Sequence, residues 1–192
     1  MSPAHFSLRV LTFWRGKFRN NPFRSLFVLF VVTFLPALAF AQTAAEMDAL
    51  LETEAVSVSA AARFTLGSVE LLPQGLSGGE AESAAYGAAL SRGWVKGAPE
   101  DAITLQEAAY LIMKAFELKG GIMYSLLQSP RYAYREMIYR KLIQGRNYAN
   151  MQVSGWRFLQ IIGRALNYAG ERELMDELMI NASGASYSEG LN

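Results

Sequence analysis

Residues 103–116 read ITLQEAAYLIMKAF, and this stretch decides the fold. Apolar side chains recur three, four, seven and eight positions after Ala108, which is the spacing of one face of an α-helix. Thr104 can cap the first turn, and Glu107 three residues later completes a capping box. The stretch therefore predicts an amphipathic helix that starts next to Thr104 and buries one face.

A second stretch with the same pattern lies fifty residues later, at residues 153–166, which read VSGWRFLQIIGRAL. Both stretches begin with a β-branched residue and a hydroxyl residue, so Ser154 is the expected N-cap of the second helix. Gly120 and Gly170 lie at matching positions beyond the two helices, where glycine commonly ends a helix. The expected buried face of the second helix consists of Phe158, Ile161, Ile162, Ala165 and Leu166.

Each of these helices is preceded by another apolar helical face and then by a glycine, Gly97 or Gly145, which we expect to end the earlier helix. The offset between the copies is 48 residues for the first helices and 50 for the second ones, so the later loop is two residues longer. The faces comprise Tyr86, Ala89, Leu90 and Trp94 in the earlier copy, and Tyr134, Met137, Ile138 and Leu142 in the later one.

A fainter third copy comes first and starts at Val56 and Ser57. Its long face contains Ala61, Phe64, Thr65, Ser68 and Val69, and its short first helix contains Met47, Leu50 and Leu51. No stretch alternates with a period of two, so we predict an all-α fold of three helix–loop–helix repeats packed as one helical domain. The copies span about residues 47–70, 84–120 and 132–170.

The helical domain is expected to cover residues 42–180. After Gly170 we predict a separate last helix at residues 171–180. Residues 181–192 are small and polar and predict a disordered tail. The residues of the last helix that we expect to face inward are Leu174, Met175, Leu178 and Met179.

The order of a helix, a glycine turn, a loop and a hydroxyl residue leading an alanine-rich helix resembles the S-layer homology (SLH) repeat. The closest stretch is Ala88–Phe116, AALSRGWVKGAPEDAITLQEAAYLIMKAF, within a resemblance that covers about Met47 to Gly170. It implies a pseudo-threefold helical domain that anchors proteins to envelope polysaccharide. The ligand-binding Arg of that family corresponds here to Val58, Leu105 and Gly155, which cannot form a bidentate pair with an anion.

The first forty-one residues have the order of a secretory signal. They hold five basic and no acidic residues, followed by the apolar run Leu26–Phe40 and by Ala39-Phe40-Ala41. The run is shorter than the roughly twenty residues that a membrane-spanning helix needs. We expect a Sec-type bacterial signal peptide at residues 1–41, cleaved after Ala41, with an uncleaved anchor as the alternative. The mature chain would then reside in the periplasm or at the cell surface.

Composition excludes several classes of site in residues 42–192. That part of the chain holds 13 basic and 17 acidic residues, a balance that argues against a nucleic-acid partner. It contains neither His nor Cys, so zinc sites of the His/Cys kind, Ser-His-Asp or Cys-His catalysis and disulfides are excluded. We expect no cofactor, no metal and no enzymatic activity. A carboxylate-based glycan hydrolase is the remaining catalytic alternative.

Basic and aromatic residues are interleaved between Arg131 and Arg164, where guanidinium groups could pair with anions and rings could stack on sugars. The candidate ligand-binding residues in this region are Arg140, Arg146, Tyr148 and Arg157. Trp94 and Arg92 could flank a second groove. The alternative interpretation is that Trp94 is a core residue and that the arginines are solvated helix side chains.

Two functions remain open at this stage. The first is an exported, non-catalytic cell-envelope module that binds peptidoglycan or an associated anionic polysaccharide. The second is a periplasmic protein–protein scaffold, a subunit that docks a larger envelope assembly. In either case membrane contact is expected only through the signal segment, if it is retained.

Overall fold

The computed structural model describes residues 44–73 and 75–188. The described residues all belong to one compact unit, Ala44–Asn192. The predicted signal segment at residues 1–41 lies outside the described residues. Within the part that is described, no helix is long and apolar enough to cross a membrane.

The described residues form seven helices and no strand, so the predicted all-α fold is confirmed. The loop between α6 and α7 is two residues longer than the loop between α3 and α4, as predicted. The helices are α1 (44–52), α2 (Val58–Ser68), α3 (Gly78–Ser91), α4 (Leu105–Ala115), α5 (Ile122–Leu127), α6 (Pro130–Tyr139) and α7 (Gly155–Ser188).

Helix α4 forms where its sequence predicts. Thr104 occupies the N-cap with an extended backbone, and its N–H donates to the Glu107 carboxylate at an N–O distance of 3.0 Å. This bond satisfies a donor that a helix start leaves without a partner. Leu111 and Ile112 are fully buried on the predicted face. Burial of side chains of this size contributes roughly 1.5–3 kcal/mol each, so the core face holds the helix in place.

One hydrophobic core includes residues from α1, α2, α3, α4, α6 and α7. Leu111 and Ile112 of α4 lie in the same core as Ile161 and Ile162 of α7. Helix α3 packs against α2, and α6 packs against α4. Helices α2, α4 and α7 contact one another, so the later helix of each predicted pair faces the centre.

A ring of main-chain hydrogen bonds joins the starts of α2, α4 and α7. In each case the N–H of the first helical residue donates, at 2.9 Å, to a carbonyl in the loop before the next of these helices. The three donor–acceptor pairs are Val58 to Asp101, Leu105 to Met151 and Gly155 to Thr53. The ring closes on itself, because the last helix donates to the loop before the first.

The three β-branched residues that align in the sequence meet beside this ring. Val56, Ile103 and Val153 are fully buried. The N–H of Val56 donates to the carbonyl of Val153, and the N–H of Ile103 donates to the carbonyl of Val56, both at 2.9 Å. Positions that lie about fifty residues apart in the chain are therefore direct neighbours in space.

The predicted glycine stops are wrong for α3, α4 and α6. Each helix ends before its glycine, next to a residue with a left-handed backbone conformation. The residue after it is apolar, and its N–H donates to the carbonyl of the residue five positions earlier in the chain. The helix ends there because this apolar residue folds back against the last turn. Gly97, Gly120 and Gly145 lie in the loops that follow. The left-handed and apolar pairs are Gly93 with Trp94, Glu117 with Leu118, and Lys141 with Leu142.

Helix α7 corrects three further predictions. It continues through Gly170 to Ser188, so Gly170 is not a stop and residues 171–180 are not a separate helix. A single internal glycine costs a helix only about 1 kcal/mol relative to alanine, which neighbouring turns can offset. The helix also covers residues 181–188, where a disordered tail is predicted. Leu166, Leu174 and Met175, expected to face inward, are exposed. Leu174 and Met175 lie beyond Tyr168 and Ala169, which still pack on the core.

Helix α3 buries small residues where large ones are expected. Leu90, predicted for the core, is exposed, whereas Ala81, Ala85 and Ala89 are buried four residues apart. Alanines at this spacing form a flat stripe that lets two helix backbones approach closely, and α3 packs on α2. The prediction that Leu90 lies in the core, which is based on its large apolar side chain, is therefore wrong.

Candidate functional site

The positions that correspond to the SLH ligand arginines are closed to a ligand. Val58 and Leu105 are buried in the core. At Gly155 a Cβ atom would overlap the carbonyl oxygen of Leu50 and lie 2.6 Å from the Leu50 carbonyl carbon. Helix α1 therefore covers the third position with its own main chain. None of the three positions can present a charged side chain without rearrangement of the core.

Arg140 is held by other parts of the protein. Its Nε donates to Glu136 Oε1 at 2.7 Å, one helical turn earlier. Its other nitrogens donate to the Tyr168 hydroxyl and to the carbonyl of Lys119. The guanidinium carbon also lies 4.9 Å from the centre of the Tyr168 ring. Arg140 thus joins α6, α7 and the loop after α4, and it is not available as the predicted ligand-binding group.

Arg92 and Trp94 lie together at the end of α3. The Arg92 guanidinium carbon is 5.2 Å from the centre of the Trp94 ring, within the range of a cation–π contact. Trp94 is half-buried and packs against the core. Helix α3 packs on α2, whereas the other predicted site residues belong to α6, to α7 and to the loop between them. The structure gives no contact that brings this pair and the other candidates into one site.

The remaining candidates meet in the loop between α6 and α7. Arg157 donates from one nitrogen to the carbonyl of Gln144 at 3.2 Å and from another to the Met151 sulfur at 3.4 Å. The N–H of Tyr148 donates to the same sulfur at 3.5 Å. Arg157 therefore clamps both ends of the loop segment that carries Arg146 and Tyr148.

Helix α6 fixes the same loop from the other side. The hydroxyl of Tyr134 donates to the carbonyl of Asn147 at 2.9 Å. In the shorter loop after α3, Tyr86 makes the matching bond to the carbonyl of Gly97 at 2.7 Å. Tyr134 was expected on the core face, and it packs against the core while its hydroxyl holds the loop. The loop is thus anchored on two sides, by α6 and by Arg157 of α7.

Three exposed side chains and the partly buried Arg157, on this anchored loop and the first turn of α7, form what we call the α6–α7 loop surface. It consists of Arg146, Tyr148, Trp156 and Arg157. Tyr148 is 65% exposed and Trp156 is 59% exposed, which is unusual for such large aromatic rings. Arg146 is exposed and makes no hydrogen bond or ion pair with another described residue. On this surface two aromatic rings and the Arg146 guanidinium group, which has no partner among the described residues, therefore face solvent.

Trp156 is the residue of this surface that the sequence prediction left out of its site. The signal was present, because Trp156 precedes Phe158 by two positions and so lies off the predicted buried face. Arg146, Tyr148 and Arg157 are the predicted residues that the structure brings together, whereas Arg140, Arg92 and Trp94 lie elsewhere.

An open cleft of about 620 Å³ lies between the end of α4 and the second half of α7. Its charged lining is mainly acidic, with Glu117, Glu173, Asp176 and Glu177 facing Lys119 and Arg172. No predicted site residue lines it. Among the described residues no group of three or more acidic, His or Cys side chains is arranged to hold a metal ion.

Comparison with protein-family models, with curated proteins and with solved structures finds no match for this chain. The function must therefore be argued from the geometry of the described residues.

Proposed function

We propose that this protein is an exported, non-catalytic module of the bacterial cell envelope that binds an anionic polysaccharide, such as one associated with peptidoglycan. The observation that carries the proposal is the α6–α7 loop surface, where two exposed aromatic rings stand next to arginine side chains on an anchored loop. A surface of this kind needs little ordering when a ligand binds, which favours affinity.

The chemistry of the surface suits a charged glycan. Tyr148 and Trp156 offer flat apolar faces on which a sugar ring can stack, and they carry few rotatable bonds to immobilise. Arg146 offers a planar guanidinium that pairs with a carboxylate or phosphate through two hydrogen bonds. Arg157 already uses two of its donors within the protein, so we assign it the role of holding the loop.

The resemblance to SLH repeats supports the envelope location but suggests a different binding surface. The closed ring of hydrogen bonds around Val56, Ile103 and Val153 suits a pseudo-threefold domain of the kind that the resemblance implies. The family's ligand positions are filled by Val58 and Leu105 or covered at Gly155. We therefore propose that the helical core is a scaffold and that binding has moved to the α6–α7 loop surface.

Sedimentation with purified cell walls tests this proposal. The chain should sediment with the walls in low salt and be released as salt rises, because screening weakens the contacts of exposed charges. The triple change Arg146→Gln, Tyr148→Ala and Trp156→Ala should abolish sedimentation. Lys96→Gln and Tyr139→Ala, at exposed positions outside the surface, are the matched controls. Equal sedimentation of the triple variant and the original protein would refute a binding role for this surface.

Export is tested separately. Cleavage after Ala41 predicts that the protein recovered from the envelope begins at Gln42, which mass spectrometry of the N-terminal peptide measures. Recovery of an envelope protein that begins at Met1 would instead support the uncleaved anchor.

A protein–protein scaffold is the second candidate, and one observation favours it. The second half of helix α7 exposes Leu174 and Met175, two large apolar residues that lie outside the hydrophobic core. Cross-linking in cells through Leu174→Cys should recover one discrete partner under this hypothesis. If the chain fails to sediment with cell walls but yields such a partner, the scaffold function replaces polysaccharide binding.

A further inference from the structure

Helix α5 presents an apolar face to solvent. Ile122 is 86% exposed and Leu126 is 75% exposed, and Met123 and Leu127 are each more than half exposed. These four positions are spaced so that they share one side of a helix. Tyr124 points the opposite way and is only 7% exposed, so it fixes the short helix to the core. The usual arrangement of a surface helix, with polar residues outward, is reversed here.

Such a face requires a physical explanation. Single exposed apolar residues are common on soluble proteins, but four large ones side by side mark a contact surface. Within the described residues, α5 packs along α6 and into the core through Tyr124, and its outward face stays exposed. The face is carried on the short segment between α4 and α6, and we call it the α5 tip.

Basic residues flank this tip in the sequence. Arg131 and Arg135 follow α5 one turn apart on α6, and both are exposed. Lys119 precedes α5 and is also exposed, although it lines the acidic cleft beside α7 as well. From Lys114 to Lys141 the sequence holds six basic and two acidic residues. One of the two acidic residues, Glu136, is already paired with Arg140. The rest of residues 42–192 has the opposite balance, with seven basic and fifteen acidic residues.

We infer that α5 and its basic border dock onto the surface of an anionic lipid bilayer. The apolar side chains enter the boundary between headgroups and acyl chains, and Lys119, Arg131 and Arg135 lie against the anionic headgroups. A bilayer fits better than a protein partner. A bilayer presents an apolar layer directly beneath anionic headgroups, which matches an apolar helix face with exposed arginines next to it in the chain. The contact is separate from the α6–α7 loop surface, and it adds a membrane partner to residues 42–192.

The absence of cysteine from the sequence permits a site-specific test in the full chain. Leu126→Cys, labelled with an environment-sensitive fluorophore, is mixed with vesicles of phosphatidylcholine alone or with added phosphatidylglycerol. The emission should shift to the blue, and lipid-borne quenchers should reach the label, only with the anionic vesicles. Leu90→Cys, an exposed leucine on α3, is the matched control and should show no shift. The label's own environment is the readout because the apolar run at residues 26–40 can bind vesicles independently.

A charge variant makes the test specific. Arg131→Gln with Arg135→Gln should lower the ratio of inserted to free label by about thirtyfold in low salt, because each basic residue near an anionic surface contributes about 1 kcal/mol. Lys96→Gln should leave the ratio unchanged. A label at position 126 that ignores anionic vesicles would overturn the inference. So would a blue shift without lipid that grows with protein concentration, which would assign the tip to a second copy of this chain.

Discussion

The carbonyl group of Leu50 fills the space that a side chain at Gly155 would need. The same glycine donates its N–H to the carbonyl of Thr53, so α1 and α7 meet backbone to backbone. Only glycine permits this approach, because any Cβ would displace α1 and break the bond that closes the ring.

Gly155→Ala should therefore destabilise the protein by about 3 kcal/mol or more, through overpacking and loss of the α1 contact. The change in thermal midpoint or in denaturant midpoint measures the effect. Gly163→Ala is the matched control in the same helix, where an added Cβ meets nothing within 4 Å. The control should stabilise by up to about 1 kcal/mol, because alanine favours the helix. Equal effects at the two glycines would contradict the packing of α1 on α7.

Thr65→Val should stabilise the protein. The Thr65 hydroxyl is fully buried and has no hydrogen-bond partner among the described residues. Removing a buried polar group without a partner while keeping the side-chain shape should gain about 1 kcal/mol in the free energy of unfolding. Urea denaturation measures it.

Ser68→Ala is the comparison for Thr65, because the Ser68 hydroxyl donates to the carbonyl of Phe64 at 2.6 Å. Removing the Ser68 hydroxyl also removes this hydrogen bond, so Ser68→Ala should not raise the free energy of unfolding as Thr65→Val does. A lower denaturant midpoint for Thr65→Val would mean that the hydroxyl is satisfied in solution, for example by a buried water.

Arg140 and Arg146 should separate stability from binding. Arg140→Ala removes the contacts with Glu136, Tyr168 and the Lys119 carbonyl and should cost about 1–3 kcal/mol, since bonds from a charged donor in a half-buried site are lost. Arg146→Ala should change the free energy of unfolding by less than about 0.5 kcal/mol, because the residue is exposed. Thermal denaturation and cell-wall sedimentation of both variants provide the measurement. A stable Arg140→Ala protein that has lost sedimentation would restore Arg140 as a ligand-binding residue.

Tyr124 should make the anchoring of α5 sensitive to alkali. Burial raises the pKa of Tyr124 from 10.0 to about 12, and the charge of the nearby Tyr110 makes a smaller contribution in the same direction. Because the folded state holds this proton more tightly than the unfolded state, the stability linked to Tyr124 is fully present below pH 10. It is lost as the pH rises towards 12.

An absorbance titration of the phenolate band should show a step near pH 12 that Tyr124→Phe removes. Tyr139→Phe, at an exposed tyrosine, should leave that step in place. Loss of the late step in the Tyr139 variant, or its undiminished persistence in Tyr124→Phe, would assign the step to a tyrosine other than Tyr124, such as Tyr110, whose pKa burial also raises.

The sequence predicts those elements in which local signals and burial agree. Thr104, Glu107 and the face containing Leu111 point to the same helix, and α4 forms there. Gly170 shows the limit of a local signal, since a glycine stop is overridden where the helix on both sides is otherwise favourable. Leu90 shows a second limit, because the closest packing in α3 uses alanines that carry little hydrophobic signal.

The candidate site is predicted in part for a similar reason. Arg146, Tyr148 and Arg157 are close in the chain, so composition alone brings them together. Arg140 has the same composition signal, but its contacts with Lys119 and Tyr168 come from segments more than twenty residues away. Long-range contacts of this kind decide whether a charged side chain is already paired within the protein, and a local sequence pattern does not show them.

The ring formed by the starts of α2, α4 and α7 also limits how this domain can evolve. An open array of helix pairs can gain or lose a unit at either end, because each unit touches only its neighbours. Here α7 bonds back to the segment before α2, so each of the three helices, together with the segment before it, both donates and accepts a bond in the ring. Deletion of any one of them would leave one main-chain N–H and one carbonyl of the other two without a partner. The number three is thereby fixed by closure, whereas the segments between the members are free to vary, and both the loop that carries Arg146 and Tyr148 and the α5 tip lie in such segments.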